Sequence, residues 1–266
     1  MQGIFSVFRE IWQARTLLLS LARNDFKTRY AGSYLGTFWA FVQPIMTIMV
    51  FWFVFEVGFR TGKVGDVPYI LWFSCGLIPW FFFADAWAGA SNSFIEYSYL
   101  VKKVVFQIST LPLIKIISSL FVHFVFLAFL FALFLFYGYL PTWSYLQLLY
   151  YSLCMICLVF SLGFLSASIV PFIKDVNQII SIVLQFGMWM TPIMWSYSMV
   201  PPQYHWLFHL NPMFYIVEGY RNALFYQIGF WHNIWGTISF WGMTGCFFLA
   251  GMIVFKKVRP HFADVL

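Results

Sequence analysis

The sequence predicts an all-α polytopic membrane protein. It has six transmembrane helices, an N-terminal amphipathic interface helix, re-entrant helices between spans 5 and 6, and both termini cytoplasmic. Three observations carry that reading. Hydrophobic residues make up 62% of the 266 residues and charged residues only 9%, far below the roughly 25% charge of a soluble domain. Apolar runs of about 20 residues recur along the chain, the length a helix needs to cross the hydrocarbon. Lys and Arg gather on alternate links between those runs, as the cytoplasmic bias of basic residues requires.

Residues 1–33 precede the first span. They contain no compact apolar core followed by a small-residue cleavage site, so a cleavable signal peptide is not expected. Ile4, Phe5, Phe8, Ile11 and Trp12 recur at helical spacing, and Arg23, Lys27 and Arg29 cluster farther along. That pattern suits a helix lying in the cytoplasmic interface, and a lipid anchor and a partner-docking element satisfy it equally. The spans follow at about 34–57, 69–92, 113–140, 144–170, 178–199 and 233–255. GFRTGKVGDVP (58–68) is a polar, turn-rich link and GYLPTW (138–143) a tight uncharged one. Residues 93–112 and 170–178 carry charge and read as cytoplasmic.

With the N-terminus inside, 12 of the 15 Lys and Arg residues are cytoplasmic and only Arg60, Lys63 and Arg221 lie outside. The stretch NPMFYIVEGYRNALFYQIGFW (211–231) tests this arrangement. Reading it as a seventh span would move the basic C-terminal tail outside. Pro201, Pro202 and Pro212 instead cut 200–232 into short pieces, so the region is expected to enter from the outer side and return. Irregular backbone at that depth requires cover by protein or water. Glu218 and Arg221, at i,i+3, are placed to neutralise each other there.

Motifs for catalysis are few. CMIC (154–157) lies mid-span, where its cysteines read as small packing residues. HWLFH (205–209) places two His at i,i+4 without the Glu and third ligand of a zinc site. GFRTGK is one spacer short of a phosphate-binding loop and lacks the following Ser or Thr. The chain therefore is not expected to hydrolyse nucleotide. Asp85 is the one acidic residue well inside a span, readable as a structural carboxyl or a pore-facing group. Gly32 with Gly36, and Gly163 with Ala167, have the spacing that permits close helix contact. Trp and Tyr at span ends fit interfacial belts. Phe38, Trp39, Phe41, Trp189 and Trp195 fit that account less well and are candidates for an aromatic conduit, on which sugar rings stack.

Several stretches together resemble a known family. RNDFKTRYAGSYLGTFWAFVQPI (23–45) is similar to the start of the first span in ABC-2-type permeases that export polysaccharides, at Arg29, Tyr30, Ser33, Leu35, Gly36, Trp39 and Pro44. Residues 76–94, 99–113, 171–195 and 211–225 resemble later parts of the same family, with Gln107 standing where its pattern has Pro. FWFVFEVGFR (51–60), NPMFYIVEGYR (211–221) and the terminal FADVL look most like the wall teichoic acid branch, with O-antigen and capsule permeases as close relatives.

The resemblance implies a homodimer working with two copies of a separate ATP-binding subunit in the bacterial cytoplasmic membrane. ATP and Mg would be bound by that subunit, with no cofactor or metal in this chain and no nucleic acid partner. Glu96, Lys102 and Lys103, in the 93–112 loop, would form the ATPase-coupling element, braced by Asp25, Lys27 and Arg29. A polyprenyl-diphosphate-linked glycopolymer would enter from the inner leaflet and pass between the subunits. Asn211, Pro212, Glu218 and Arg221 would belong to the outer gate. Rival readings are a lipid or drug permease, which would need less aromatic lining, and a membrane-embedded prenyl or glycosyl transferase, whose paired carboxylates are missing. A passive channel is the third.

Overall fold

The computed structural model describes the backbone of residues 4–101 and 108–265, and the side chains of all of these except 4–13, 101, 263 and 264. The expected coupling residues Lys102 and Lys103 lie outside the described residues, as do the side chains of the apolar stripe from Ile4 to Trp12.

Helix α1 (Ile4–Arg29) ends in basic residues Lys27 and Arg29, a charge that complements the carbonyl end of a helix. The chain then turns a corner. Gly32 (φ +88°) and Gly36 (φ +54°) are left-handed there, and a Cβ on either would meet nothing. Their spacing therefore serves backbone conformation, and within this chain it makes no close helix contact. Helix α2 (Trp39–Trp52) continues into a π-helical turn, Phe53–Gly58. The link expected to be polar closes as a small antiparallel hairpin of β1 (Lys63–Val64) and β2 (Val67–Pro68).

Helix α3 (Tyr69–Glu96) is the centre of the bundle, with 72% of its most apolar stretch buried. The short α4 (Ser98–Val101) follows it. Helices α5 (Leu111–Phe136) and α6 (Gln147–Ile169) pack against α3. Gly163 permits the second of these contacts, since a Cβ there would come within 2.6 Å of the Ala90 Cβ. Helix α7 (Val176–Met190) precedes the short α8 (His205–His209) and α9 (Pro212–Arg221). Helix α10 (Ile234–Val258) packs on α6, and α11 (Phe262–Val265) ends the chain.

Among the described residues, five helical stretches are long and apolar enough to cross a membrane: Gly36–Gly58, Tyr69–Glu96, Ile108–Phe136, Trp143–Ile169 and Ile234–His261. They overlie five of the expected spans. The stretch expected at 178–199 forms a helix of only 15 residues, ending at Met190. At 1.5 Å per residue that is roughly 22 Å, short of a hydrocarbon core of about 30 Å. The cause is local. Pro192 disfavours helical backbone at Thr191, which is extended at φ −85° and ψ 131°. Residues 191–194 are nevertheless buried.

The helices share two ends. At one, Tyr69 Oη donates to the Met194 carbonyl (3.0 Å), and the Phe230 amide donates to Gln147 Oε1 (2.9 Å). At the other, Phe262 packs against Phe94 (5.3 Å) and Phe172 (5.7 Å). The apolar stretch of α2 is only 11% buried, and α7 exposes Ile179, Ile182, Val183 and Phe186.

The α3–α6 contact yields the first prediction. Gly163→Ala should destabilise the protein by about 1–3 kcal/mol, the usual effect of overpacking, and lower the melting temperature in detergent. Gly242→Ala on α10, where the added Cβ meets nothing within 4 Å, should leave it unchanged or slightly raised. Equal behaviour of the two variants would mean that α3 and α6 are not in such close contact.

Candidate functional site

Among the described residues, two polar clusters centred on ion pairs lie within the apolar bundle, one toward each end. The first is built by α9. Asn211 caps this helix, its side chain accepting from the Met213 amide at 3.0 Å, and Pro212 occupies the first turn. Ser, Thr, Asp or Asn before a first-turn proline is a strong helix start. Asn211 Nδ2 also donates to Thr191 Oγ1 (2.8 Å), tying α9 to the end of α7.

The helix carries the expected pair inward. Arg221 Nη1 donates to Glu218 Oε1 at 2.7 Å, and Arg221 is fully buried while Glu218 remains partly exposed. Arg221 Nη2 also donates to the Ile193 carbonyl at 3.1 Å. Its guanidinium carbon lies 3.4 Å from the centroid of the Trp72 ring, a cation–π contact strengthened by desolvation. Gly76 leaves the space, since a Cβ there would approach Nη2 to 3.2 Å.

Tyr220 extends the same segment deeper. Its hydroxyl is 3.3 Å from His123 Nε2 and 3.0 Å from Ser152 Oγ. His123 is midway along α5, so the side chain reaches the middle of that span. Gly219 permits the approach, because a Cβ would fall 2.1 Å from the Tyr151 ring. The chain then leaves through a π-helical turn (Asn222–Tyr226) and left-handed Gln227 (φ 53°). It returns beside the first turn of α10, where Tyr215 Oη and Thr237 Oγ1 are 2.8 Å apart. The stretch 211–231 thus goes in and comes back at one end of the bundle. Trp72, Gly76, His123, Ser152, Gly219 and Tyr220 were not singled out as site residues from sequence. The usable signal was the Gly-Tyr-Arg triplet itself, a small residue beside two large polar ones in an apolar setting.

The second cluster joins α1 to α3 and α5. Lys115 Nζ donates to Asp25 Oδ1 (2.6 Å) and to Glu96 Oε2, and Tyr97 Oη donates to Asp25 Oδ1 (2.8 Å). Arg29 Nη1 donates to both carboxylate oxygens of Asp85, at 3.0 and 2.8 Å, and Ser119 Oγ donates to Asp85 Oδ2. Burial on its own raises the Asp25 carboxyl, but the hydrogen bonds led by Lys115 outweigh it and hold the group below its usual value of 3.8. Burial lowers the Arg29 guanidinium, yet the neighbouring Asp85 leaves it above its ordinary value. Lys27 is exposed. Glu96, Asp25 and Arg29 therefore meet through Lys115 and Asp85, whereas Lys27 stands apart from them.

The candidate conduit aromatics divide between the two ends. Phe38 and Trp39 are exposed at the start of α2, and Phe41 packs 6.1 Å from Phe126. Trp189 is exposed at the end of α7, and Trp195 Nε1 donates to its carbonyl at 3.0 Å. The two His of HWLFH serve local contacts: His205 Nε2 is 2.8 Å from the Val200 carbonyl, and the His209 ring meets Phe214 edge-on.

Two predictions come from these clusters. Glu218→Ala should cost about 3–5 kcal/mol by leaving a buried cation without its carboxylate, and Glu218→Ala with Arg221→Met should recover part of that loss in detergent melts. Equal losses would remove the pairing. Asp25→Asn should destabilise the protein at neutral pH, because a carboxylate with a lowered pKa stabilises the fold above its unfolded value. That deficit should vanish as pH falls below 3.8 and through the folded value, which acid denaturation of the two proteins would measure. A deficit constant down to pH 2 would contradict it.

A family model described as ABC-2 type transporter matches residues 16–225, from within α1 to the turn that follows α9. The chain is 26% identical over 256 residues to the O-antigen export system permease protein RfbA of Klebsiella pneumoniae, covering 94% of this chain and 95% of that one. A protein of the same name from Myxococcus xanthus is 28% identical over 221 residues, covering 82% and 84%. The inner membrane transport permease YadH of Escherichia coli (strain K12) is 24% identical over 196 residues, covering 68% and 73%.

Proposed function

The chain belongs to the ABC-2 type transporter family, and from that premise we propose that it is the permease subunit of an ATP-driven glycopolymer exporter. Two copies form the membrane part, and two copies of a separate ATP-binding subunit drive it. The cargo is a polysaccharide carried on polyprenyl diphosphate, moved from the cytoplasmic to the outer side of a bacterial cytoplasmic membrane. The observation that carries this reading is the near end-to-end similarity to permeases named for O-antigen export. An O-antigen-type polysaccharide is accordingly the cargo proposed first. Wall teichoic acid is the second reading, favoured by the stretches 51–60 and 211–221 and the terminal FADVL.

Both termini are cytoplasmic in this proposal, so the Asp25–Lys115–Glu96 cluster lies at the inner end, beside the loop that meets the ATPase. Motion of that loop is passed through Lys115 to α1 and α5 as a rigid-body shift. The Glu218–Arg221 pair holds the re-entrant segment at the outer end. The anionic diphosphate is drawn by exposed basic residues at the inner surface, among them Arg23 and Lys27. Arg29 and Lys115 are already engaged by carboxylates.

The test is ATP-dependent flipping in proteoliposomes, with the cognate ATPase subunit present or absent. Lipid-linked O-polysaccharide and lipid-linked poly(polyol phosphate) are offered in turn. Transport of the first that requires both subunits and ATP is the expected outcome. Transport of only the second would shift the cargo to teichoic acid. Export of a drug or simple lipid, chemical turnover by this chain alone, or conductance without ATP would each replace the proposal with the corresponding rival.

A further inference from the structure

A cavity of about 400 Å³ lies within a single protomer, between α2, α3 and α5. Small-ligand pockets occupy about 300–1,000 Å³. Its walls pair two kinds of group. Trp39, Phe81 and Phe126 supply aromatic faces, and Gln43 and Thr47 project from α2 one turn apart, opposite Ser119 and His123 on α5. His123 is 2% exposed, and its Nδ1 has no hydrogen-bond partner although Nε2 faces Tyr220.

The electrostatics limit what can bind. Asp85 forms one wall and is already held by Arg29 and Ser119. The adjoining polar pocket contains Asp25, Asp85 and Glu96 against Arg29 and Lys115, and both cations are engaged by those carboxylates. A phosphate would meet surplus negative charge with no free cation among the described lining residues. An uncharged ring rich in hydroxyls meets aromatic faces, the Gln43 amide and the hydroxyls of Tyr30, Thr47 and Ser119.

We propose that this intraprotomer cavity is a saccharide subsite that holds one uncharged sugar ring. Its ring face lies on the aromatic wall and its hydroxyls bond to Gln43 and Thr47. The assignment of that sugar to the exported polymer rests on the function proposed above, while the subsite itself is distinct from a conduit between subunits.

The experiment uses the permease with its ATPase subunit in nanodiscs. The probe is octyl glucoside carrying a diazirine on the sugar ring, and cross-linked peptides are mapped by mass spectrometry. Labelling is expected on 39–47 and 119–126. Excess octyl glucoside should reduce it about tenfold and octanol should not. Gln43→Leu, a change on an exposed position of α2, should reduce it about tenfold as well, the effect of losing roughly one well-placed hydrogen bond. Equal competition by octanol would overturn the proposal, as would labelling spread evenly over α7 and α10 or an undiminished signal in Gln43→Leu. The same preparation is assayed for ATP-dependent flipping. Transport without cavity labelling removes the subsite and leaves the exporter, whereas labelling without transport of any lipid-linked polymer leaves a sugar site and removes the exporter.

Discussion

The end of α7 at Thr191–Pro192 is the constraint on which the half of the molecule around α9 depends. Once the helix stops, the carbonyls of Ile193 and Met194 need donors in an apolar surrounding, because hydrocarbon offers none. Arg221 supplies one and Tyr69 the other. Bringing a guanidinium to that depth creates a second demand, the neutralisation of a buried charge. Glu218 on the same helix and the face of Trp72 meet it. For Arg221 to arrive at all, α9 has to pass close to α3 and α6, which Gly76 and Gly219 allow. The proline, the arginine and the two glycines form one structural unit, although they lie on three separate segments.

The opposite end follows the same logic with different groups. A buried lysine is tolerable only when it is paired, and Lys115 is paired twice, to α1 through Asp25 and to the end of α3 through Glu96. The interface helix is thus held to the spans by charge as well as by apolar packing around Leu18, Ala22 and Phe94. In the proposed exporter this matters for transmission. A push on the loop that follows Glu96 cannot move α3 alone, since Lys115 ties the same carboxylate to α5 and, through Asp25, to α1.

Most of the spans were legible from length and apolarity because five of them satisfy the hydrocarbon requirement by themselves. The fifth expected span was drawn too long, since hydropathy counts Thr191, Pro192 and Ile193 as acceptable membrane residues and is blind to backbone conformation. The Glu218–Arg221 pair was legible because i,i+3 spacing is a property of one helix. Its partners Trp72 and Ile193 were not, since they arrive through tertiary packing. Asp85 stood out as a carboxyl inside a span, but the sequence could not choose between its two readings. The structure gives it both a structural partner, Arg29, from 56 positions away, and a place on a cavity wall. Gly32 and Gly36 show the opposite case, in which a packing spacing coincides within the chain with two left-handed corner positions.

These contacts also bear on where a polymer can pass. Within one protomer the cavity between α2, α3 and α5 is lined at one end by Phe82 and His123, whose rings are 4.9 Å apart. The Tyr220 hydroxyl then bonds His123 from the far side and Ser152 beyond it. A side-chain contact of 3.3 Å leaves no bore for a sugar chain. Continuing through a single protomer would require breaking the buried contacts that hold α9 in place. Among the described residues α2, α5, α7 and α10 all leave apolar surface uncovered, and α2 and α7 carry exposed aromatic residues at or near their ends, Phe38 on one and Phe186 and Trp189 on the other. In an exporter built from two copies, the passage therefore belongs between protomers, along faces that can separate without dismantling the core. The cavity inside each protomer is then placed, on the proposal above, to hold sugar beside that passage.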